Sequence, residues 1–571
     1  MCGSAVNALA ETFVRDLDPA TGFLPRRTPA RTLPPRWSRW QEAAMALPSR
    51  YHAPSADARA WLGASFAAPV PDADTAIGAL SEPEVDRLNT VVSVLAHAAR
   101  WSSAPPTVDA YQLTALTLPP GLADPWRALC RRQDHPRVGN LYSMVLANWD
   151  LEGVEGGQTY DVERLTGEAI RPAILWLRPP KDEALRSFLR TPIETEARGA
   201  AVIRTAVDLV RTSARRDTHA ATGLFERLHG ELAEMARPFR DNIRKQLFTA
   251  DDFLTLIQPT TLWGLDEGEG PVEGASGPQV GVLQVVDALL GTGSGSPMGR
   301  AVQHTRRYLP ARHRRFLEAF DAAAPVVREW VQAARDRALT ALFNACLSSM
   351  KAWRLVHQKR GAMYLKSDTP GLVQAYTSTG GVVSLEDERI RRFEAAMQER
   401  VGETTVAVLP SPVEDPLPER PFRYLTPDDL DVLRAAAWVH SYRAGEEILK
   451  AGVRRTGLFL LREGDAEVRA IGDATLARLV PGTIFGELSY LENDATSASV
   501  VAATDCRVEI IPRDHIYALC ETRDGFAERW YLSIARIVAA RLRETSSKLA
   551  AAESELRARR PGRIQVPPSE H

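Results

Sequence analysis

Around Pro410 the hydrophobic pattern of this chain changes period, and that change limits the fold more than any other feature. From Glu194 to about Arg400, apolar residues recur at helical intervals with few β-branched alternations. Pro410, Pro412, Pro416, Pro418 and Pro421, with Glu414, Asp415 and Glu419 among them, then interrupt any packing pattern and read as a linker over 406–421. Beyond it, Glu447 to Leu449, Gly457 to Leu461, Ala466 to Ala470 and Arg507 to Ile511 are short apolar or alternating runs. They are separated by Gly445, Gly452, Gly464, Gly472 and Gly482. Such spacing predicts a small antiparallel barrel or jelly roll.

The chain has room for about three or four domains. Residues 1–20 read as an N-terminal tail. Leu24 to Trp40 is too rich in proline to be helical and is expected to run extended over a neighbouring surface. Ala56 to His135 is helical but broken at Pro105-Pro106 and Pro119-Pro120, which suggests short helices in a small subdomain over 21–150. A large all-helical domain over 151–405 follows, then the linker, a β domain with flanking helices over 422–542, and a C-terminal helix and tail over 543–571.

Within the helical part, Leu339, Phe343, Cys346, Met350, Trp353 and His357 recur at steps of four and three and so share one helix face. That places an imidazole where a core residue belongs. A buried histidine needs a partner for its ring nitrogens, and a haem iron is one that a helical domain can supply. Arg354, one turn earlier, is placed to pair with a porphyrin propionate. The plainer reading is a satisfied core histidine beside a solvated arginine.

Composition narrows the partners. A formal charge of −2 and a pI near 6.6 give no general attraction to nucleic acid or to an anionic membrane. Five cysteines, Cys2, Cys130, Cys346, Cys506 and Cys520, lack metal-ligand spacing and fit a reducing cytoplasm. Glu11, Arg15, Asp16 and Asp18 leave no signal peptide visible, and no stretch approaches the apolar length of a membrane helix.

In the C-terminal part, Phe485 to Leu491 follows the turn at Pro481-Gly482 and reads as a strand end entering a helix. Backbone amides at Gly486, Glu487 and Leu488 would form an anion site, with Glu487 positioned to accept a ribose hydroxyl. An ordinary turn with packing is the alternative. By the runs Arg443 to Glu446, Leu458 to Gly464 and Phe485 to Leu488, Phe422 to about Leu542 resembles a cyclic-nucleotide-binding domain. The resemblance implies a jelly roll and an arginine on the cyclic phosphate, where this chain has Thr496. Losing a charge-assisted bond of about 1.5–3 kcal/mol weakens binding on the order of 10- to 150-fold. The hydroxyls of Thr496, Ser497 and Ser499 then hold another small anion, or the pocket is a structural remnant.

Gly22 to Pro48, Val145 to Trp149, Arg306 to Pro310 with His313-Arg314 and Phe316-Leu317, and the helix of His357 carry a second resemblance, over about Gly22 to Gly381, to the indoleamine 2,3-dioxygenase family. It implies haem b with His357 as the proximal iron ligand and Arg354 as a propionate partner. It implies Phe188 and Phe253 as pocket aromatics, and Gly274, Ala275, Ser276 and Gly277 as a small-residue loop over the haem edge. Thr379, Gly380 and Gly381 resemble the family's mobile glycine-rich loop, with Ser378 replacing a glycine and Val382 a threonine. Gln258 stands where tryptophan-cleaving members place an arginine on the substrate carboxylate, and Pro192 stands about where some have a serine.

Two functions follow as expectations. The first is a haem-dependent dioxygenase that uses dioxygen to cleave the C2–C3 bond of tryptophan or a related indole, with a C-terminal module that could regulate it. The second is a haem-based sensor or binding protein without turnover. A transcription factor is disfavoured because little chain follows the long C-terminal helix. Leu542, Leu549 and Leu556, seven apart, suit a short coiled coil and a homodimer, and a solvated terminal helix accounts for them equally well.

Overall fold

A computed structural model of the chain describes residues 2–51, 58–100, 118–261, 272, 274–293, 295–366, 376–377, 381–382, 386–409, 421–453, 457–470, 474–492 and 495–559. It divides into two compact units, Met1–Pro412 and Val413–His571. Most of the linker expected over 406–421 lies outside the described residues. Among the described residues no helix is long and apolar enough to cross a membrane.

The first unit is helical, with two short two-stranded antiparallel pairs among the described residues, Trp149–Leu151 on Ile170–Pro172 and Tyr376–Thr377 on Gly381–Val382. Its frame is the 34-residue helix Asp182–Arg215 packed along Thr218–Asn242, which packs in turn on Arg337–Tyr364. Close approach is built in at Gly199, where an added Cβ would lie 2.8 Å from Val282. Residues 1–20 are not a tail. Cys2–Arg15 is a helix whose Leu9 and Phe13 are buried, and Phe13 packs on Phe316. The proline-rich arm is extended only to Pro34, and it is not a surface strap. Phe23, Leu24, Thr28 and Leu33 are buried, Thr28 donates its amide to Gln158 and accepts from Gly157, and Ser38–Arg50 is helical.

The second unit is a jelly roll of two four-stranded antiparallel sheets. One is Ile484–Phe485, Gly457–Glu463, Cys506–Pro512 and Trp438–Tyr442 in that order, and the other is Glu447–Leu449, Ser499–Ala502, Ala466–Arg469 and Thr475–Leu479. The four runs read from sequence are all strands. Gly445, Gly452, Gly464 and Gly482, between them, have positive φ, which explains the residue choice at those turns. Flanking helices seal the barrel through Leu433, Ile516, Phe526, Trp530 and Ile534. The C-terminal helix expected from 543 is continuous with the domain, because Phe526–Arg559 is one helix.

Candidate active site

The helix Arg337–Tyr364 starts at Asp336, whose carboxylate accepts the Leu339 amide at 2.8 Å. Its apolar face has two parts. Leu339, Phe343, Cys346 and Met350 are buried. One and two turns on, Trp353 and His357 line a cavity of about 340 Å³, within the size range of ligand pockets.

His357 is held by aromatic rings. It stacks on Trp353 with centroids 5.1 Å apart at 12°, and meets Phe239 and Phe393 edge-on at 5.2 and 5.8 Å. An added Cβ on Gly361, one turn beyond, would lie 2.3 Å from the Phe393 ring, so glycine there is what lets Phe393 reach the imidazole. Burial pushes the imidazole down to about 4, leaving it neutral at physiological pH. Among the described residues it makes no hydrogen bond. A neutral imidazole with an uncommitted nitrogen in an apolar cavity is chemically able to ligate a metal.

Other walls come from three segments. Phe188, Thr191, Pro192 and Thr195 lie on Asp182–Arg215. Thr191 and Thr195 donate their hydroxyls to the carbonyls of Ser187 and Thr191, at 3.1 and 2.8 Å, and Pro192 has no N–H. Phe253 and Gln258 bracket the π-helical turn Phe253–Ile257, and Phe253 packs on Phe188 at 5.7 Å. Such turns recur at functional sites. Ala275, Ser276, Gly277 and Pro278 complete the wall, anchored by Gln279, which accepts the Leu141 amide and donates to the Gly274 carbonyl. Two polar atoms on this lining, Gln258 Oε1 and Ser276 Oγ, are buried without a hydrogen-bond partner among the described residues.

Charge gathers at one part of the lining, and it is balanced. Arg354 is buried and pairs with Asp287, donating also to the Arg400 carbonyl at 2.7 Å and to Thr404. Arg400 takes the other Asp287 oxygen and Glu403. Arg354 is thus at the cavity, as its spacing from His357 predicts, but committed to a carboxylate. It is not the solvated arginine of the plainer reading.

The structure therefore brings Phe188, Phe253, Gln258, Ser276, Gly277, Arg354 and His357 to one cavity. Thr379 and Gly380 lie outside the described residues, and Gly381 is described only as part of the short strand Gly381–Val382 on Tyr376–Thr377. Sequence reading missed Phe239, Phe393, Asp287 and Arg400. Only Trp353, four residues before His357, carried a local signal.

In the second unit several residues expected to line a nucleotide pocket are engaged within the chain, although Glu487 Oε2 is buried without a hydrogen-bond partner among the described residues. Gly486 has φ +83°, and an added Cβ would meet Phe459 at 2.9 Å. Glu487 is buried and paired with Arg541 from the helix Phe526–Arg559, which also donates to the Ile484 carbonyl. Leu488 and Ser497 are exposed. Thr496 is buried, and its hydroxyl donates to the carbonyls of Lys450 and Val453, closing the turn at Gly452 rather than facing a ligand. Ser499 donates to Glu447 at 2.7 Å.

Comparison with known proteins agrees with both units. The family model for indoleamine 2,3-dioxygenase matches residues 12–254 and 260–371, and the model for the cyclic nucleotide-binding domain matches 439–523. The interruption between 254 and 260 contains Gln258. Similar proteins include indoleamine 2,3-dioxygenase 1 of Rattus norvegicus and of Mus musculus, each 26% identical over 259 residues, covering 42% of this chain and 60% of the relative. The cyclic AMP receptor protein of Thermus thermophilus is 30% identical over 132 residues, 22% of this chain and 59% of that protein. The chain thus spans less than two thirds of each of these relatives.

Proposed function

The chain belongs to the indoleamine 2,3-dioxygenase family, and from that premise we propose that its helical unit is a haem b-dependent dioxygenase that opens the C2–C3 bond of tryptophan or a related indole, placing both atoms of dioxygen in the product. The observation that carries this reading is His357, neutral, ring-clamped and without a hydrogen bond among the described residues, on the wall of an apolar cavity. The residues present fit haem. Among the described residues no group of three His, Cys, Asp or Glu gathers to hold a bare metal ion, and a single imidazole suits an iron that brings its own ring nitrogens. When bound, that iron supplies the dioxygen chemistry.

The chain's own residues bind, orient and exclude water. His357 would hold the iron, with Trp353, Phe239 and Phe393 fixing its ring plane. Phe188 and Phe253 offer aromatic surface against which an indole packs. A propionate reaching Arg354 and Arg400 would share them with Asp287. Thr191 and Thr195 spend their protons on their own helix, so this wall supplies shape and no general acid.

The second unit carries the cyclic-nucleotide-binding fold in a self-closed state, with Arg541 on Glu487 and Thr496 tied to its turn. Regulation of the helical unit by it would need a coupling of only about 1–3 kcal/mol. Exposed Leu542 and Leu549 on its last helix suit a two-chain coiled coil. A reducing cytoplasm suits cysteines none of which, among the described residues, forms a disulfide.

Ferrous holoprotein given an indole and oxygen should consume both in equal amounts. Intact haem with no consumption of tryptophan or simpler indoles would favour the sensor.

A further inference from the structure

We infer that the indole taken by this cavity is uncharged, ending in a neutral hydrogen-bonding group such as an amide or a hydroxyl, rather than an amino acid. The inference rests on the haem dioxygenase reading for the indole ring itself, and adds the substrate class.

The argument is a count of charge and of uncommitted polar atoms on the lining. Its described cations are Arg354 and Arg400, and its described carboxylate is Asp287. Asp287 and Glu403 together balance the two guanidiniums. With Arg354 and Arg400 shared between Asp287 and a haem propionate, a zwitterionic side chain would bring a second carboxylate to a lining with no further described cation, and an ammonium to one whose described carboxylate is already shared by two arginines. Charge buried without a counter-charge is strongly disfavoured.

What the lining does leave open is neutral. Gln258 makes no side-chain hydrogen bond among the described residues, and its Oε1 is buried; Ser276 Oγ is likewise buried and unpartnered. Orphaned polar atoms in an otherwise apolar site are costly until a ligand meets them. The amide of Gln258 can accept one hydrogen bond and donate another, which matches a primary amide or a hydroxyl. The same groups can donate to a carboxylate but cannot neutralise it. Thr191, Thr195 and Thr261 do not compete, because their hydroxyls donate to helix carbonyls.

The test uses a pair of ligands equal in shape and different in charge. Indole-3-acetamide and indole-3-acetate are titrated into anaerobic holoprotein, with binding read from the Soret difference spectrum and by calorimetry. The amide should bind about 10- to 100-fold more tightly. Gln258→Leu should narrow the gap by weakening the amide, and Gln258→Arg should shift preference toward the acetate and L-tryptophan. If Gln258→Arg does not fold, the wild-type pair still decides. Equal or tighter binding of the acetate or of L-tryptophan by the wild type overturns this inference and leaves the dioxygenase reading standing. Holoprotein that binds no indole of either kind overturns both.

Discussion

The imidazole of His357 lies stacked on the indole of Trp353, 12° from parallel, one helical turn apart on the same face. A residue four positions away is the natural neighbour on a helix, so the stack follows from sequence spacing alone. Its effect is to restrain the imidazole about its side-chain torsions, while Phe239 and Phe393 close its edges. The ring is then neutral and pre-oriented, and that combination is what ligand bonding requires.

The cluster beneath it should be sensitive to its one shared carboxylate. Asp287→Ala leaves Arg354 and Arg400 buried with the attraction of Glu403 alone, and should cost about 3–5 kcal/mol in denaturant unfolding. Adding Arg354→Met should recover part of the loss. A cost below about 1 kcal/mol would show that the arginines are not held by Asp287.

Glu196 predicts a pH dependence. It accepts the amides of Gly281 and Val282 at 2.6 and 3.4 Å, and burial pushes its carboxyl up to about 8. The folded chain keeps that proton up to about pH 8, while the unfolded chain releases it near 4.5. The folded state therefore binds the extra proton within this window, and this group's contribution to stability falls as pH rises, by up to about 1.4 kcal/mol per unit. Glu196→Gln keeps an acceptor for the amides and removes the slope. Its melting point should gain on the wild type's steadily from pH 5 to 8, and a constant difference across that range would refute the assignment.

For the second unit, calorimetry with cyclic AMP should show no micromolar binding to the wild type. Arg541→Ala alone frees Glu487 but supplies no cation for a phosphate. Thr496→Arg with Arg541→Ala should gain on the order of 10-fold or more in affinity. Micromolar binding by the unaltered chain would contradict the self-closed reading.

Much of this was readable because it is local. The face from Leu339 to His357, the glycine-punctuated strands and the step into the helix at Glu487 each depend on residues a few positions apart. What escaped depends on chain segments distant in sequence. Phe239 and Phe393 reach His357 from two other helices, and Asp287 finds Arg354 across 67 positions. Arg541 meets Glu487 from 54 positions away, so the sequence leaves both Glu487 oxygens looking available when one of them is paired. Residues 1–20 read as a tail, yet Leu9, Phe13 and Leu17 form a buried stripe whose partner Phe316 lies some three hundred positions away.

The most direct test of haem anchorage is the absorption spectrum of protein purified from haem-replete cells, compared with His357→Gly. The wild type should show a Soret band, the variant should lose it, and added imidazole should restore it by entering the space of the missing ring. A colourless wild type, or a variant whose band is unchanged, would contradict the account.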